Sequence, residues 1–321
     1  MKKIISLLVL LTIVATMFVA CQTPDTDDNN TPATPTEKEY KLAIGVVVTP
    51  NLASNKVAET VAAIVTDADG KIVLCRFDCI EFAAKYGEDG ALDTTAPISK
   101  VAKGEDYDPN NYMAKGDWFV QTAALAEKLV GKTQAEVAAI ALNNGYLSDA
   151  DLAAVCSINA ADLLKAVDNA FKSEHKTAFK TTATAFTAGV AVAGTVADTT
   201  AEGETAKNAK FTADFAASVL AEGKVVASIL DTAEVELKDV TADGAAEHAF
   251  KGTKRELGDN YDPNNYMAAG DWYVQADAYA LAANGKTASD IDTLAAEGVA
   301  GCTIYAGGYK QVIAAAVKAA K

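Results

Sequence analysis

The chain of 321 residues contains only two histidines, and aromatic side chains make up 7% of it. We therefore do not expect a catalytic or metal site that is built from histidines. Its 28 lysine and arginine residues are outnumbered by 43 acidic ones and form no cluster. Because binding to a nucleic-acid backbone requires clustered positive charge, no nucleic-acid partner is expected.

Signatures of the common enzyme classes are also missing. The sequence contains no GxSxG nucleophile motif, no HExxH zinc motif, no phosphate-binding P-loop and no dinucleotide fingerprint. After the first twenty residues, no segment approaches the roughly 18 consecutive apolar residues of a membrane-spanning helix. An electron-transfer or binding protein is expected rather than a catalyst.

The N-terminus has the layout of an export signal. Lys2 and Lys3 precede an apolar stretch, which ends in Phe18-Val19-Ala20-Cys21. A small residue followed by cysteine resembles the lipobox of bacterial lipoproteins, which implies cleavage before Cys21 and a lipid on that residue. The alternative is an ordinary secretory signal that is followed by a cysteine by chance.

The next segment, residues 21–39, is rich in proline and polar residues and cannot bury a core. With residues 1–20 as the signal peptide, it is expected to be a disordered tether. These features predict a protein anchored by lipid to the cell membrane and facing the periplasm or the cell exterior.

The chain contains an internal repeat. Tyr107–Gln121 (YDPNNYMAKGDWFVQ) and Tyr261–Gln275 (YDPNNYMAAGDWYVQ) are identical at 13 of 15 positions and lie 154 residues apart. Such a match indicates duplication and predicts two copies of one domain, which we call the first copy (residues 40–175) and the second copy (residues 176–321). Each copy is expected to fold alone.

Each copy has the pattern of a small antiparallel sheet followed by helices, which predicts the α+β class. In the first copy, strands are predicted at Leu42–Val48, Val61–Thr66 and Lys71–Ile80, with a hairpin turn at Asp67–Gly70. A helix is expected to begin with Asp108 as N-cap and Pro109 at its first position and to end at Gly131. Asp262, Pro263 and Gly285 should play the same parts in the second copy. The closing helices are predicted at Ala160–Phe171 and Gly307–Lys321.

Cys75 and Cys79 lie on the third predicted strand of the first copy. Val73, Cys75, Phe77 and Cys79 alternate there with polar Arg76 and Asp78. Four residues along a strand span roughly 13 Å, which is too far for a disulfide. Both thiols are therefore predicted to be buried on one face of that strand.

The role of the repeated segment is open at this stage. Its side chains could supply oxygen ligands or a stacking platform for carbohydrate. A capped helix with an aromatic core stripe would require the same residue types, which are Tyr107, Asp108, Asn110, Asn111, Tyr112, Asp117 and Trp118.

The last helix of each copy is preceded by a short motif. In the second copy it reads Glu297-Gly298-Val299-Ala300-Gly301-Cys302-Thr303. This resembles the Asp-Gly-x-Ser/Thr-Gly-Ala-Thr/Ser motif of the FMN-binding domain in the flavin-carrying subunits of sodium-pumping NADH:quinone reductase and Rnf complexes, and in extracytosolic flavin lipoproteins. Gly298, Gly301 and Thr303 agree with that motif, Glu297 is a conservative change, and Ala300 and Cys302 differ.

The resemblance implies that FMN is joined through a phosphoester to the hydroxyl of Thr303 by a flavin transferase. In the first copy, Ser157 occupies the acceptor position and Asp151 opens the motif, but Leu152 and Val155 replace the two glycines. Because glycine allows a bulky group to approach the chain, Thr303 is predicted to be the better acceptor. A degenerate domain that keeps the fold and carries no covalent flavin is the alternative.

Together these features predict an extracytoplasmic lipoprotein that takes part in flavin-linked electron transfer with a redox partner. The alternative is a noncatalytic ligand-binding lipoprotein that uses the repeated Tyr/Trp/Asn segment at two sites for a glycan, a peptide or another small ligand.

Overall fold

The computed structural model describes residues 36–108, 110, 112–262, 267–295 and 297–320. In the first copy, three strands are followed by helices and one short hairpin: β1 (Lys38–Asn51), β2 (Lys56–Thr66), β3 (Ile72–Ala83), α1 (Lys100–Lys103), α2 (Trp118–Leu129), α3 (Gln134–Ala138), β4 (Leu142–Asn143), β5 (Tyr146–Leu147), α4 (Ala150–Val155) and α5 (Ala161–Lys172).

The rest of the chain follows the same order. It contains β6 (Thr177–Thr181), β7 (Phe186–Asp198), β8 (Lys207–Ala221), β9 (Lys224–Val240), β10 (Glu247–Ala249), α6 (Lys254–Leu257), α7 (Trp272–Leu281) and α8 (Gly307–Ala319). Short 3₁₀ turns lie at Leu52–Ser54, Gly104–Tyr107, Gly258–Asn260 and Ile291–Thr293.

The long strands form two antiparallel four-stranded sheets, in the orders β3-β2-β1-β6 and β10-β9-β8-β7. The predicted hairpin turn is present, since Gly70 adopts a positive φ (74°) between paired strands, and Gly223 (76°) does the same in the second copy. Antiparallel sheets followed by helices confirm the α+β class.

Each sheet is buried on both faces. One face packs against the other sheet through an apolar core that both copies share, in which the rings of Phe82 and Phe211 stack with centroids 5.0 Å apart. A Cβ on Gly194 would lie 2.6 Å from the Phe82 ring, so glycine permits this close approach of the two sheets. The second face of each sheet is covered by the helices of its own copy.

The closing helices lie directly on the first strands of their sheets. A Cβ on Gly45 of β1 would lie 2.1 Å from the carbonyl oxygen of Ala166 in α5. The corresponding distance from Gly189 of β7 to the carbonyl oxygen of Ala316 in α8 is 2.0 Å. The same glycine contact therefore positions both closing helices, which begin within one residue of their predicted starts.

A carboxyl group is buried in the core between the sheets. Glu59 of β2 is fully buried, and neither of its carboxylate oxygens has a hydrogen-bond partner among the described residues. Burial, followed by the nearby charge of Asp214, raises the pKa of Glu59 well above its ordinary value. The fold therefore favours the neutral form of this side chain.

The cysteine prediction is confirmed with one exception. Cys75 and Cys79 are free and buried on the helix-covered face of β3 together with Phe77. Val73 packs against the opposite core because the pairing of β2 with β3 shifts by one residue between Val65 and Thr66. A bulge of this kind reverses the direction of the next side chain.

The predicted start of the long helix is wrong. α2 begins at Trp118 after Asp117, and α7 begins at Trp272 after Asp271. Asp108 and Asp262 instead accept hydrogen bonds from the backbone N–H groups of Met113 and Met267. Pro109 and Pro263 lie outside the described residues.

The ends of these two helices differ from each other. Gly131 (φ 83°) directly follows the C-cap Val130 of α2, as predicted. Gly285 lies three residues beyond the C-cap of α7, so it does not occupy the predicted C′ position. Both glycines nevertheless donate to a strand, since their N–H groups bond to the carbonyl oxygens of Ile72 and Val225.

Contacts gather residues 36–321 into one compact unit. β1 begins at Lys38, inside the predicted tether, and β6 lies beyond residue 175 but pairs with β1. The predicted signal peptide and Cys21 lie outside the described residues. Among the residues that are described, no helix is long and apolar enough to cross a bilayer.

Candidate functional site

The predicted acceptor lies on an exposed turn that leads into α8. The side chain of Thr303 is exposed, and Gly298 and Gly301 adopt φ values of 76° and 79°. This left-handed region favours glycine over residues with a Cβ. The two glycines that match the motif are therefore also the residues that the shape of this turn favours.

A buried glutamine holds the turn in place. The side-chain oxygen of Gln275 accepts hydrogen bonds from the Thr303 N–H (2.8 Å), the Thr303 hydroxyl (2.9 Å) and the Ile304 N–H (3.2 Å). Its side-chain nitrogen donates to the carbonyl oxygen of Gly270 at 2.7 Å. Gln275 is fully buried in α7, so it connects the rigid core to the acceptor residue.

The first copy has the same glutamine contact. The side-chain oxygen of Gln121 accepts from the Ser157 N–H (2.7 Å) and hydroxyl (3.0 Å), and its nitrogen donates to the Gly116 carbonyl oxygen at 2.7 Å. The structure thus places Ser157 and Thr303 in equivalent positions, as their alignment requires. Sequence reasoning missed both glutamines, although each is the last residue of the repeated segment in its copy.

The backbone before the acceptor differs between the copies. In the first copy it forms helix α4, in which Leu152 is buried, and the Lys115 ammonium donates to the Ala154 carbonyl oxygen at 2.8 Å. In the second copy the corresponding stretch is the glycine turn. Ser157 is half-buried, whereas Thr303 is exposed.

Cys302 and Tyr305 flank the acceptor residue in different environments. The Cys302 side chain is buried in the core beneath α8, and burial raises the pKa of its thiol. Cys156 is buried at the same place in the first copy, and its thiol pKa is raised in the same way. Tyr305, by contrast, is 73% exposed.

The tryptophans of the repeated segment belong to the core. Trp118 and Trp272 are both buried. The Lys254 ammonium lies over the rings of Tyr261 (4.8 Å) and Trp272 (5.7 Å) and pairs with Glu234 at 3.2 Å.

The first copy repeats this cation site. Lys100 lies over Tyr107 (4.8 Å) and Trp118 (5.6 Å) and pairs with Glu81 at 2.9 Å. The repeated aromatic residues therefore surround a lysine of their own copy, and an exposed stacking platform built on the tryptophans is not present. Among the described residues of the segment, Tyr112 is an aromatic residue that is exposed, at 83%.

A buried aspartate precedes each of these lysines in the sequence. Asp78 accepts from the Ser99 hydroxyl (2.8 Å) and the Val101 N–H (3.1 Å), and Asp231 accepts from the Arg255 N–H (3.0 Å). Burial raises the pKa of both carboxyl groups to about 6, against the lowering effect of their hydrogen bonds and cationic neighbours. They fasten helices α1 and α6 to the sheets.

Oxygen ligands do not gather into a metal site in the described parts of the chain. Asp108 and Asp262 are each buried and bonded to backbone, as described above. Asn111 lies outside the described residues. The buried residues of the repeated segment that the structure describes therefore make structural contacts.

The residues around Thr303 fit an FMN phosphoester. Thr303 is an exposed residue, and an ester on its hydroxyl would remove one donor while leaving the Thr303 and Ile304 N–H groups bonded to Gln275. α8 begins four residues later, and its N-cap Ala306 provides no side-chain hydrogen bond.

No protein-family model matches this chain, and neither does any curated protein or solved structure in the comparisons made.

Proposed function

We propose that the chain is an extracytoplasmic lipoprotein that carries FMN on Thr303 and takes part in electron transfer. The observation that carries this proposal is the exposed residue Thr303 on a turn with two left-handed glycines, with its hydroxyl bonded to Gln275. A turn with these properties leaves room for a bulky substituent and fixes the position of its attachment atom.

Bound FMN would supply reversible uptake and release of electrons. Gln275 keeps the acceptor oxygen at a constant position relative to α7, because its own side chain is anchored to the Gly270 carbonyl oxygen. Gly298 and Gly301 keep side-chain atoms away from the attachment point. The tether that the sequence predicts before β1 would let a lipid-anchored protein reach a redox partner.

The test is to produce the protein together with a flavin transferase and to measure covalent flavin by absorbance and by peptide mass spectrometry. We expect flavin on the peptide that contains Thr303 in the wild type, and its loss in Thr303→Ala. Ser157→Ala is the matched control because it removes the equivalent hydroxyl from the first copy, and it should leave the label unchanged.

The absence of flavin from wild-type protein, both covalent and noncovalent, would contradict the proposal. The function would then be that of a ligand-binding lipoprotein. The exposed residues of the repeated segment, beginning with Tyr112, would then be the candidates for contact with the ligand.

A further inference from the structure

An apolar stripe runs along the solvent face of α7 beside the acceptor turn. Val274 is 44% exposed and Leu281 66% exposed, and Ala278 lies between them at helical spacing. The turn lies against the same helix, because a Cβ on Gly301 would be 3.2 Å from the Cβ of Ala278. The turn that carries Thr303 therefore meets the stripe at Ala278, between Val274 and Leu281.

The first copy differs at the corresponding exposed positions. Glu127 of α2 occupies the place of Leu281, and Asn159 occupies the place of Tyr305. Val120 remains apolar and is 45% exposed, like Val274. The copy that has the glycine turn thus exposes Leu281 and Tyr305 where the other copy has Glu127 and Asn159.

The structure also leaves space next to the stripe. Leu281 and Ala278 border a cleft of about 260 Å³, whose other lining residues are Lys176, Thr177, Ser228, Asp277 and Asn284. An apolar wall with polar groups at its edge suits a flat aromatic ligand that has polar atoms on its rim.

We propose that this stripe is the platform for the isoalloxazine ring of the flavin, with Leu281 and Tyr305 in contact with the ring. The proposal rests on the proposed attachment of FMN to Thr303 and adds the surface that holds the ring. The contact would shield one face of the flavin from solvent, because exposed apolar side chains lose water when an aromatic ring covers them.

The experiment measures collisional quenching of flavin fluorescence by iodide in the full-length labelled protein. Leu281→Glu and Tyr305→Asn introduce the residues that the first copy has at these places. Val120→Ser is the matched control, since it changes an exposed apolar residue on the corresponding helix of the first copy. Peptide mass spectrometry records the amount of label in every variant.

We expect Leu281→Glu and Tyr305→Asn to keep the label and to show a several-fold rise in the quenching constant, with no change in Val120→Ser. Labelled variants with wild-type quenching would overturn this inference and leave the attachment to Thr303 intact. A folded Leu281→Glu protein without label would assign the stripe to recognition by the transferase, which also overturns it. Absence of label from the wild type would overturn both proposals.

Discussion

The two turns before the closing helices have the same anchor and different backbones. Gln121 and Gln275 hold Ser157 and Thr303 through nearly identical hydrogen bonds. Before the acceptor, the first copy continues as helix α4, whereas the second copy bends at Gly298 and Gly301. The comparison shows that the glutamine anchor is present in both copies, while the second copy has a glycine turn where the first has a helix.

Replacing a glycine of the second copy's turn is expected to have the largest effect on flavin attachment. We expect Gly301→Val, which introduces the residue of the first copy, to abolish flavin attachment, because a β-branched residue is strained at a φ of 79°. Covalent flavin per protein is the measurement. Gly285→Ala is the control, since Gly285 has a φ of 77° outside the turn. This variant should keep its covalent flavin. Equal loss of flavin in both variants would mean that attachment does not depend on the conformation of the turn.

Removing the anchoring glutamine tests the hydrogen-bonded anchor that both copies share. Gln275→Ala and Gln121→Ala should each lower the free energy of unfolding by roughly 2–3 kcal/mol, because each leaves a buried gap and several unpaired donors. Denaturant unfolding gives this quantity. Only Gln275→Ala should also reduce flavin attachment, so a similar loss of label in Gln121→Ala would contradict the assignment to the second copy.

The two copies also differ in the core between the sheets, where Glu59 on β2 corresponds to Ala213 on β8. Folding raises the pKa of Glu59. The contribution of this carboxyl group to the free energy of unfolding is therefore fully present below its pKa in the unfolded chain, and it is lost as the pH rises through its pKa in the folded protein. Glu59→Gln should therefore match the wild type near pH 4 and be more stable at pH 8, by about 1.4 kcal/mol for each unit of pKa difference.

Unfolding measured across that pH range tests the Glu59 prediction. Glu39→Gln is the control, because Glu39 is exposed on β1. A constant difference between Glu59→Gln and the wild type from pH 4 to pH 8 would show that the carboxyl group is not held neutral in the folded protein.

The smallest effect is expected for Cys302→Ala. The thiol is buried beneath α8 and accounts for little volume, so the free energy of unfolding should fall by about 1 kcal/mol. Flavin attachment should be unchanged or higher, since alanine is the residue of the motif at this position. Loss of label with an intact fold would indicate that the thiol takes part in attachment.

Local patterns in the sequence were sufficient for much of the fold. Alternating apolar residues and glycine-containing turns predict the hairpins of both sheets, and the closing helices follow from their apolar spacing. The start of α2 was predicted wrongly because Asp108 has the residue type of an N-cap but binds the N–H of Met113 within the loop.

Contacts between distant segments were not predictable in this way. The shared core between the sheets, the addition of β6 to β1 and the anchoring of Ser157 by Gln121 all join residues that are far apart in the chain. The equivalence of Ser157 and Thr303 could be predicted because the two copies of the duplication can be aligned, and aligned residues are expected to occupy the same place in the fold.

The most direct test of the account compares two peptides from the same wild-type protein after production with a flavin transferase. Mass spectrometry would quantify flavin phosphoester on the peptide that contains Thr303 and on the peptide that contains Ser157. The account predicts label on Thr303 and none on Ser157. Label on Ser157, or equal label on both residues, would contradict the claim that the glycine turn of the second copy makes the site.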